Sequence, residues 1–247
     1  MEEERQVHLT DSGERIIPPD ESEVSIVFAR HRFAYECARR FVVGKSVLDV
    51  GCGTGYGCRF IAEGARRVVG IDRDSDVLAY CRHHYSSSNI EYKYADASTL
   101  SLEEIFDVAI AFQVIEHLAD PADFLARLKK TVRPGGTILI TTPNSHKGLD
   151  SPSDNPFHLS EMDHGQFARL LGDSFHSFEL FGVGYASRNR LREFVLESPL
   201  YAIGKLLKRK STLKKIAAGA LNMTEFRILK DGVAEESIDL LAVCINQ

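Results

Sequence analysis

Short apolar runs alternate with amphipathic stretches along most of the chain. Val47, Leu48 and Val50, interrupted by Asp49, form the first run. Arg67–Ile71, Ile90–Tyr94, Phe106–Phe112 and Thr137–Thr142 form the next four. Runs of this length and apolarity predict strands buried on both faces of a parallel sheet. Between them the period changes to that of a helix. Ile26, Val27, Phe33, Ala34, Cys37, Ala38 and Phe41 mark a helix over residues 23–43. Tyr56, Phe60 and Ile61 open a second, residues 76–85 make a third, and Phe124, Leu125 and Leu128 follow a helix-opening Pro121. Residues 165–171 predict another helix, and Ser177–Val183 and Ile238–Ile245 two more strands. Val132–Gly136 predicts a turn. Strand–helix alternation of this kind predicts a doubly wound α/β sheet.

Composition adds little until charge is mapped. The 247 residues carry a net charge of −5, so no global basic field points to nucleic acid. Residues 1–22 are acidic and polar and predict an extended arm; residues 23–247 then form one domain. Residues 188–215 are basic with interleaved apolar positions, within a predicted helical insertion or lid over 185–236. An amphipathic basic helix suits peripheral contact with anionic lipid, and with few aromatic residues beside it RNA ranks lower. The five scattered cysteines lack a C-x-x-C pair and read as reduced thiols of a cytoplasmic protein. No signal peptide or spanning segment is apparent. Oligomeric state is not readable.

The chemistry centres on residues 46–57, S-V-L-D-V-G-C-G-T-G-Y-G. An apolar strand runs into a glycine-rich turn and then a helix start, the place where open α/β sheets bind nucleotide-like ligands. The dinucleotide pattern beginning at Gly53 fails at Cys58, and no triphosphate P-loop exists. Asp72 ends the second strand, where a carboxylate can accept from both hydroxyls of a ribose. The alternative for Asp72 is a helix cap, a job Asp74 or Ser75 can also do. Asp96 ends the third strand.

V-L-D-V-G-C-G-T-G-Y-G resembles motif I of the class I S-adenosylmethionine (SAM)-dependent methyltransferases. F-D-V-x-x-x-x-x-V-I-E-H-L from Phe106 and R-P-G-G-x-x-x-x-x-x-P-N from Arg133 extend the resemblance over residues 47–144. It implies a Rossmann-like sheet of seven strands, the last antiparallel, with SAM as cofactor. It implies that Asp49, Gly51, Cys52, Gly53, Gly55, Asp72, Arg73, Asp96, Ala97 and Gln113 hold that cofactor, with Asp96 and Ala97 at the adenine. Arg32 or His31 of the first helix would reach the cofactor's carboxylate. Asn155–Glu161 is similar to an N-P-x-H-x-x-E segment of bacterial methyltransferases acting on surface sugars, and less closely to small-RNA 2′-O-methyltransferases.

The implied reaction is O-methylation of a small-molecule or sugar hydroxyl, in polysaccharide biosynthesis. Histidine suits removal of a hydroxyl proton near neutral pH. His117 and His158 are both candidates, with Glu116 beside the first; either histidine could instead simply hold its loop. Related enzymes of small-RNA and ubiquinone pathways hold a divalent ion with an E-x-x-E-H set. Gln113 occupies the first position here and removes a hard anionic ligand, so no resident metal is expected. RNA methylation and a non-catalytic scaffold on the same fold are the two rival functions.

Overall fold

The computed structural model describes residues 26–145, 155–186, 226–231 and 233–247. The predicted 1–22 arm and the basic stretch 188–215 lie outside them. Among the described residues no helix is long and apolar enough to cross a membrane.

The chain order is α1 (Ile26–Val42), β1 (Ser46–Val50), α2 (Tyr56–Ile61), β2 (Arg67–Asp72), α3 (Ser75–His84), β3 (Ile90–Tyr94), β4 (Phe106–Phe112) and α4 (Pro121–Lys130). There follow β5 (Val132–Pro143), α5 (His164–Ser174), β6 (Ser177–Tyr185), β7 (Phe226–Leu229), α6 (Val233–Glu236) and β8 (Asp239–Ile245). The sheet order is β3-β2-β1-β4-β5-β8-β6-β7. β3, β2, β1, β4 and β5 run parallel, and β8 is antiparallel to β5 and to β6.

The sheet therefore has eight strands where seven were expected. The extra one, β7, pairs antiparallel with β6 at the sheet edge and lies within the stretch expected to be a helical insertion. Phe226 and Leu229, on opposite faces of the strand, bury their side chains in the two different cores. β5 is also longer than expected: the Arg-Pro-Gly-Gly turn lies inside it as an irregularity. Asn246 closes that irregularity. Its amide donates to the carbonyls of Lys129 and Val132, and its backbone carbonyl accepts from Gly135 N–H.

Strand residues alternate between two cores, as a sheet covered on both faces demands. Leu48, Val50, Val69, Ile71, Ala109 and Ile138 pack with Phe124, Leu125 and Leu128 of α4 and Phe167 and Leu171 of α5. Val47, Val68, Val108, Ile110 and Leu139 pack with α1, α2 and α3 on the other face. β1 lies between β2 and β4, so the connections diverge there and a crevice opens above the carboxyl ends of β1 and β4. Because β8 is antiparallel, its first residue, Asp239, reaches the same edge, opposite Pro143.

Candidate active site

The glycine turn forms the first wall of the crevice. Cys52 N–H donates to the Ile71 carbonyl at 2.9 Å and fastens the turn to β2. Gly53 has φ 51°, and a Cβ there would meet nothing within 4 Å, so its main chain faces open space. Gly55 has φ 82°, and a side chain would meet Cys81 Sγ at 2.8 Å. Both positions call for glycine, one for its backbone exposure and one for its close packing. The helix that follows, α2, has only six residues, so the turn's own N–H groups matter more than a long dipole.

Asp49 and Cys52 lie beneath this turn rather than on its surface. Asp49 is fully buried and accepts from Tyr35 O–H and Cys58 S–H, each at 3.1 Å. Burial pushes its pKa up to about 7, against the pull of those two hydrogen bonds. Cys52 is buried with Cys58 near Gly70. Both residues support the turn from below.

The second wall carries the acidic residues. Asp72 accepts from Gly53 N–H at Oδ2 and from Asp74 N–H at Oδ1, both at 3.0 Å. Asp74 caps α3 by accepting from Asp76 and Val77, so capping does not require Asp72. Asp96 takes the Ser98 hydroxyl at 2.7 Å and the Ser98 N–H at 2.8 Å on Oδ1. These bonds, aided by the charge of Arg73, hold its pKa below the ordinary carboxylate value. Ala97 opens the short 3₁₀ turn beside it. The partly buried Asp72 carboxylate thus adjoins the main chain of Gly53 at the crevice.

At the end of β4, Gln113 adopts φ 55° and donates from Nε2 to Thr141 Oγ1 at 3.3 Å. The chain then makes a 3₁₀ turn, Ile115–His117. The loop after β5 is pinned onto this turn. Leu159 and Ser160 N–H both donate to the Glu116 carbonyl, and the Ser160 hydroxyl reaches the Ile115 and Leu118 carbonyls at 3.0 and 2.9 Å. This pin brings the two candidate histidines together, with ring centroids 4.9 Å apart and nearly perpendicular planes.

Each histidine has its Nδ1 engaged. His117 Nδ1 lies 3.1 Å from the Phe157 carbonyl, which can only accept, so Nδ1 carries a proton. His158 Nδ1 lies 2.5 Å from Glu161 Oε1. A carboxylate in that position fixes the tautomer and stabilises the imidazolium. Glu116 is wholly buried, accepts from the Thr142 hydroxyl at 3.4 Å on Oε2, and leaves Oε1 without a hydrogen bond. Burial pushes its pKa up to about 8. Glu116, His117 and His158 each present one ligand-capable atom, all within 4.8 Å of one another. The expectation of no resident metal thus meets a donor set of two imidazoles and one carboxylate.

On α1, neither residue expected at the cofactor's carboxylate stands out. Desolvation, with the Arg30 charge, lowers His31 to about 3 and keeps it neutral. The Arg32 guanidinium lies 5.8 Å from the Phe60 ring centroid. Tyr35 bonds Asp49, Glu161 pairs with His158, and Arg30 pairs with Asp239 at the start of β8. Glu161 had a signal, its i+3 spacing from His158; Tyr35 and Arg30 had none within an ordinary helix pattern.

The family profile described as a methyltransferase domain matches residues 48–140. A probable SAM-dependent methyltransferase of Mycobacterium tuberculosis (strain H37Rv) is 35% identical over 187 residues, 74% of this chain and 67% of the relative. The chain belongs to the class I SAM-dependent methyltransferases. SAM is its cofactor. A similar protein of Mycolicibacterium smegmatis is 38% identical over 164 residues, 65% of this chain and 62% of that one. The ubiquinone biosynthesis O-methyltransferase of Stutzerimonas stutzeri is 34% identical over 144 residues, 57% of this chain and 59% of that one. The match to the M. smegmatis relative thus spans less than two thirds of that protein's length. Among solved structures, a complex titled DhpI-SAH shares the fold, with TM-score 0.54, 17% identity, and 87% of this methyltransferase and 83% of that chain covered.

Proposed function

We propose that this methyltransferase transfers a methyl group to a hydroxyl of a small molecule or sugar, with His158 as the general base. The observation that carries the reading is the His158–Glu161 pair at the mouth of the crevice. SAM supplies a methyl group made electrophilic by its sulfonium. The protein supplies position and proton removal. Nε2 of His158 takes the hydroxyl proton while Glu161 stabilises the resulting imidazolium. His117, held by the Phe157 carbonyl, orients the acceptor beside it. Gly51, Gly53, Asp72, Asp96, Ala97 and Gln113 line the cofactor. The likeness to proteins named O-methyltransferases supports the hydroxyl acceptor. The Asn155–Glu161 segment supports the surface-sugar class.

The test is release of S-adenosylhomocysteine (SAH), followed by mass spectrometry, across monosaccharide, phenol and short-RNA acceptors. With the best acceptor, His158→Ala should lower kcat by about 10²–10⁴-fold without changing SAH affinity. Full turnover by His158→Ala would sink the assignment. Turnover on RNA that weakens steeply with salt would replace the acceptor class.

The clustering of Glu116, His117 and His158 favours a second reading, a bound divalent cation. Saturable Mn²⁺ or Zn²⁺ binding that is lost in His117→Ala would establish it; absence of binding to the wild-type chain would exclude it.

A further inference from the structure

Gly53 has φ 51°, and a Cβ there would meet nothing within 4 Å. Packing therefore does not hold this residue, and a glycine has more backbone freedom to lose than any other. Its conformation has to be set by hydrogen bonds at its two ends. One end is the N–H, which donates to Asp72 Oδ2 at 3.0 Å. The other is the carbonyl, which accepts from the Cys81 thiol with Sγ 3.1 Å from the oxygen. Cys52 Sγ is 3.9 Å from the same oxygen, a much longer approach, so Cys81 is the closer donor.

Cys81 shares the buried face of α3 with Val77 and Leu78, a spacing that by itself marks only core packing. Its contacts go further. The sulfur sits against two glycines of the turn: besides its bond to Gly53, it would lie 2.8 Å from a Cβ at Gly55. The thiol pKa is raised, first by the neighbouring Cys52 and then by burial, so at neutral pH the sulfur keeps its proton and remains a donor. Every described peptide bond is trans, so fixing the Gly53 carbonyl fixes the plane of the whole Gly53–Thr54 unit. Asp72 ends β2 and Cys81 belongs to the helix that follows, so a single strand–helix unit holds Gly53 at both ends.

We propose that Cys81 is a positioning residue for the cofactor, its thiol acting with Asp72 to hold the Gly53 main chain in the conformation that receives the ligand. The inference rests on the reading of Gly53 as part of the cofactor's wall. A turn without the thiol bond populates other conformations. The cofactor then binds only the competent fraction, and its affinity falls by that fraction.

The test is calorimetric titration of SAH into the wild type, Cys81→Ala, Cys81→Ser, Cys81→Val and Gly53→Asn, with circular dichroism to confirm folding. Cys81→Ala removes the donor and should weaken SAH about fivefold. Cys81→Ser restores a donor and should bind within about twofold of the wild type. A purely packing role would give no such rescue, because serine is smaller and more polar than cysteine. Cys81→Val has no donor, should follow Cys81→Ala, and decides the matter if that variant does not fold. Gly53→Asn probes the underlying reading, since asparagine tolerates a positive φ and its side chain would enter the space the cofactor needs. Wild-type affinity in a folded Gly53→Asn protein would overturn the reading of Gly53 and this proposal with it. Weakened binding there beside wild-type affinity in Cys81→Ala would overturn the proposal alone. Equal losses in Cys81→Ala and Cys81→Ser would also overturn it, since the sulfur would then act by filling space.

Discussion

Replacing Asp72 by alanine should nearly abolish cofactor binding while leaving the fold intact. The carboxylate has about four lone-pair sites, and Gly53 and Asp74 N–H each use one. On the proposed reading the carboxylate also accepts from the two adjacent hydroxyls of a ribose, one on each oxygen. A hydrogen bond to a charged group contributes about 1.5–3 kcal/mol. Two of them at the lower end amount to about 3 kcal/mol, or roughly 150-fold in affinity. The substitution also releases the Gly53 N–H, loosening the turn on which the cofactor lies. The freed N–H groups are only partly buried, so water can replace the carboxylate and the cost to stability should be about 1–2 kcal/mol. Calorimetric titration with SAH measures the loss, and a thermal melt checks the fold. A folded Asp72→Ala protein that binds SAH within threefold of wild type would refute the ribose assignment.

Three further outcomes follow from packing and charge. A Cβ at Gly57 would lie 2.1 Å from Tyr35 Cζ, and Tyr35 is fixed by its hydroxyl on Asp49; Gly57→Ala should destabilise by about 3 kcal/mol or more, read as a lower denaturant midpoint at unchanged slope. Asp49 has a folded pKa of about 7 against an ordinary 3.8, so between about pH 4 and 7 the folded state binds more protons than the unfolded one. Its contribution to stability should therefore fall as pH rises through that window and level off above it, and Asp49→Asn should remove this part of the pH dependence in thermal melts. Ser160→Ala should cost about 1–2 kcal/mol by leaving the buried Ile115 and Leu118 carbonyls short of a donor, and should lower kcat more than SAH affinity because it frees His158; equal losses in both would show that the pin serves the cofactor side instead.

The central parallel strands β1, β2 and β4 were legible because they are buried on both faces. Val47, Leu48 and Val50 send alternate side chains into opposite cores, and a run that must satisfy two cores stays apolar throughout. The edge was harder. β7 has four residues with only Phe226 and Leu229 buried, too short for its period to separate it from a helical stretch. The burial of Asp49 was hidden because the same residue type serves a ligand or a strut. What differs is Tyr35, fourteen residues earlier, whose hydroxyl covers it.

The acceptor side was half legible, and the missing half is tertiary. His117 and His158 each follow a strand, which places them on one edge without bringing them into contact. Contact depends on the Glu116 carbonyl taking two N–H groups from the later loop, and on Ser160 bridging two more carbonyls. None of these backbone groups leaves a trace in residue type except the serine. The consequence is mechanical. The loop that brings His158 is fastened to the turn that carries His117, and that turn begins two residues after strained Gln113. On the proposed reading, a cofactor seated against Gln113 is linked to both histidines through the Ile115–His117 turn and the later loop pinned to it.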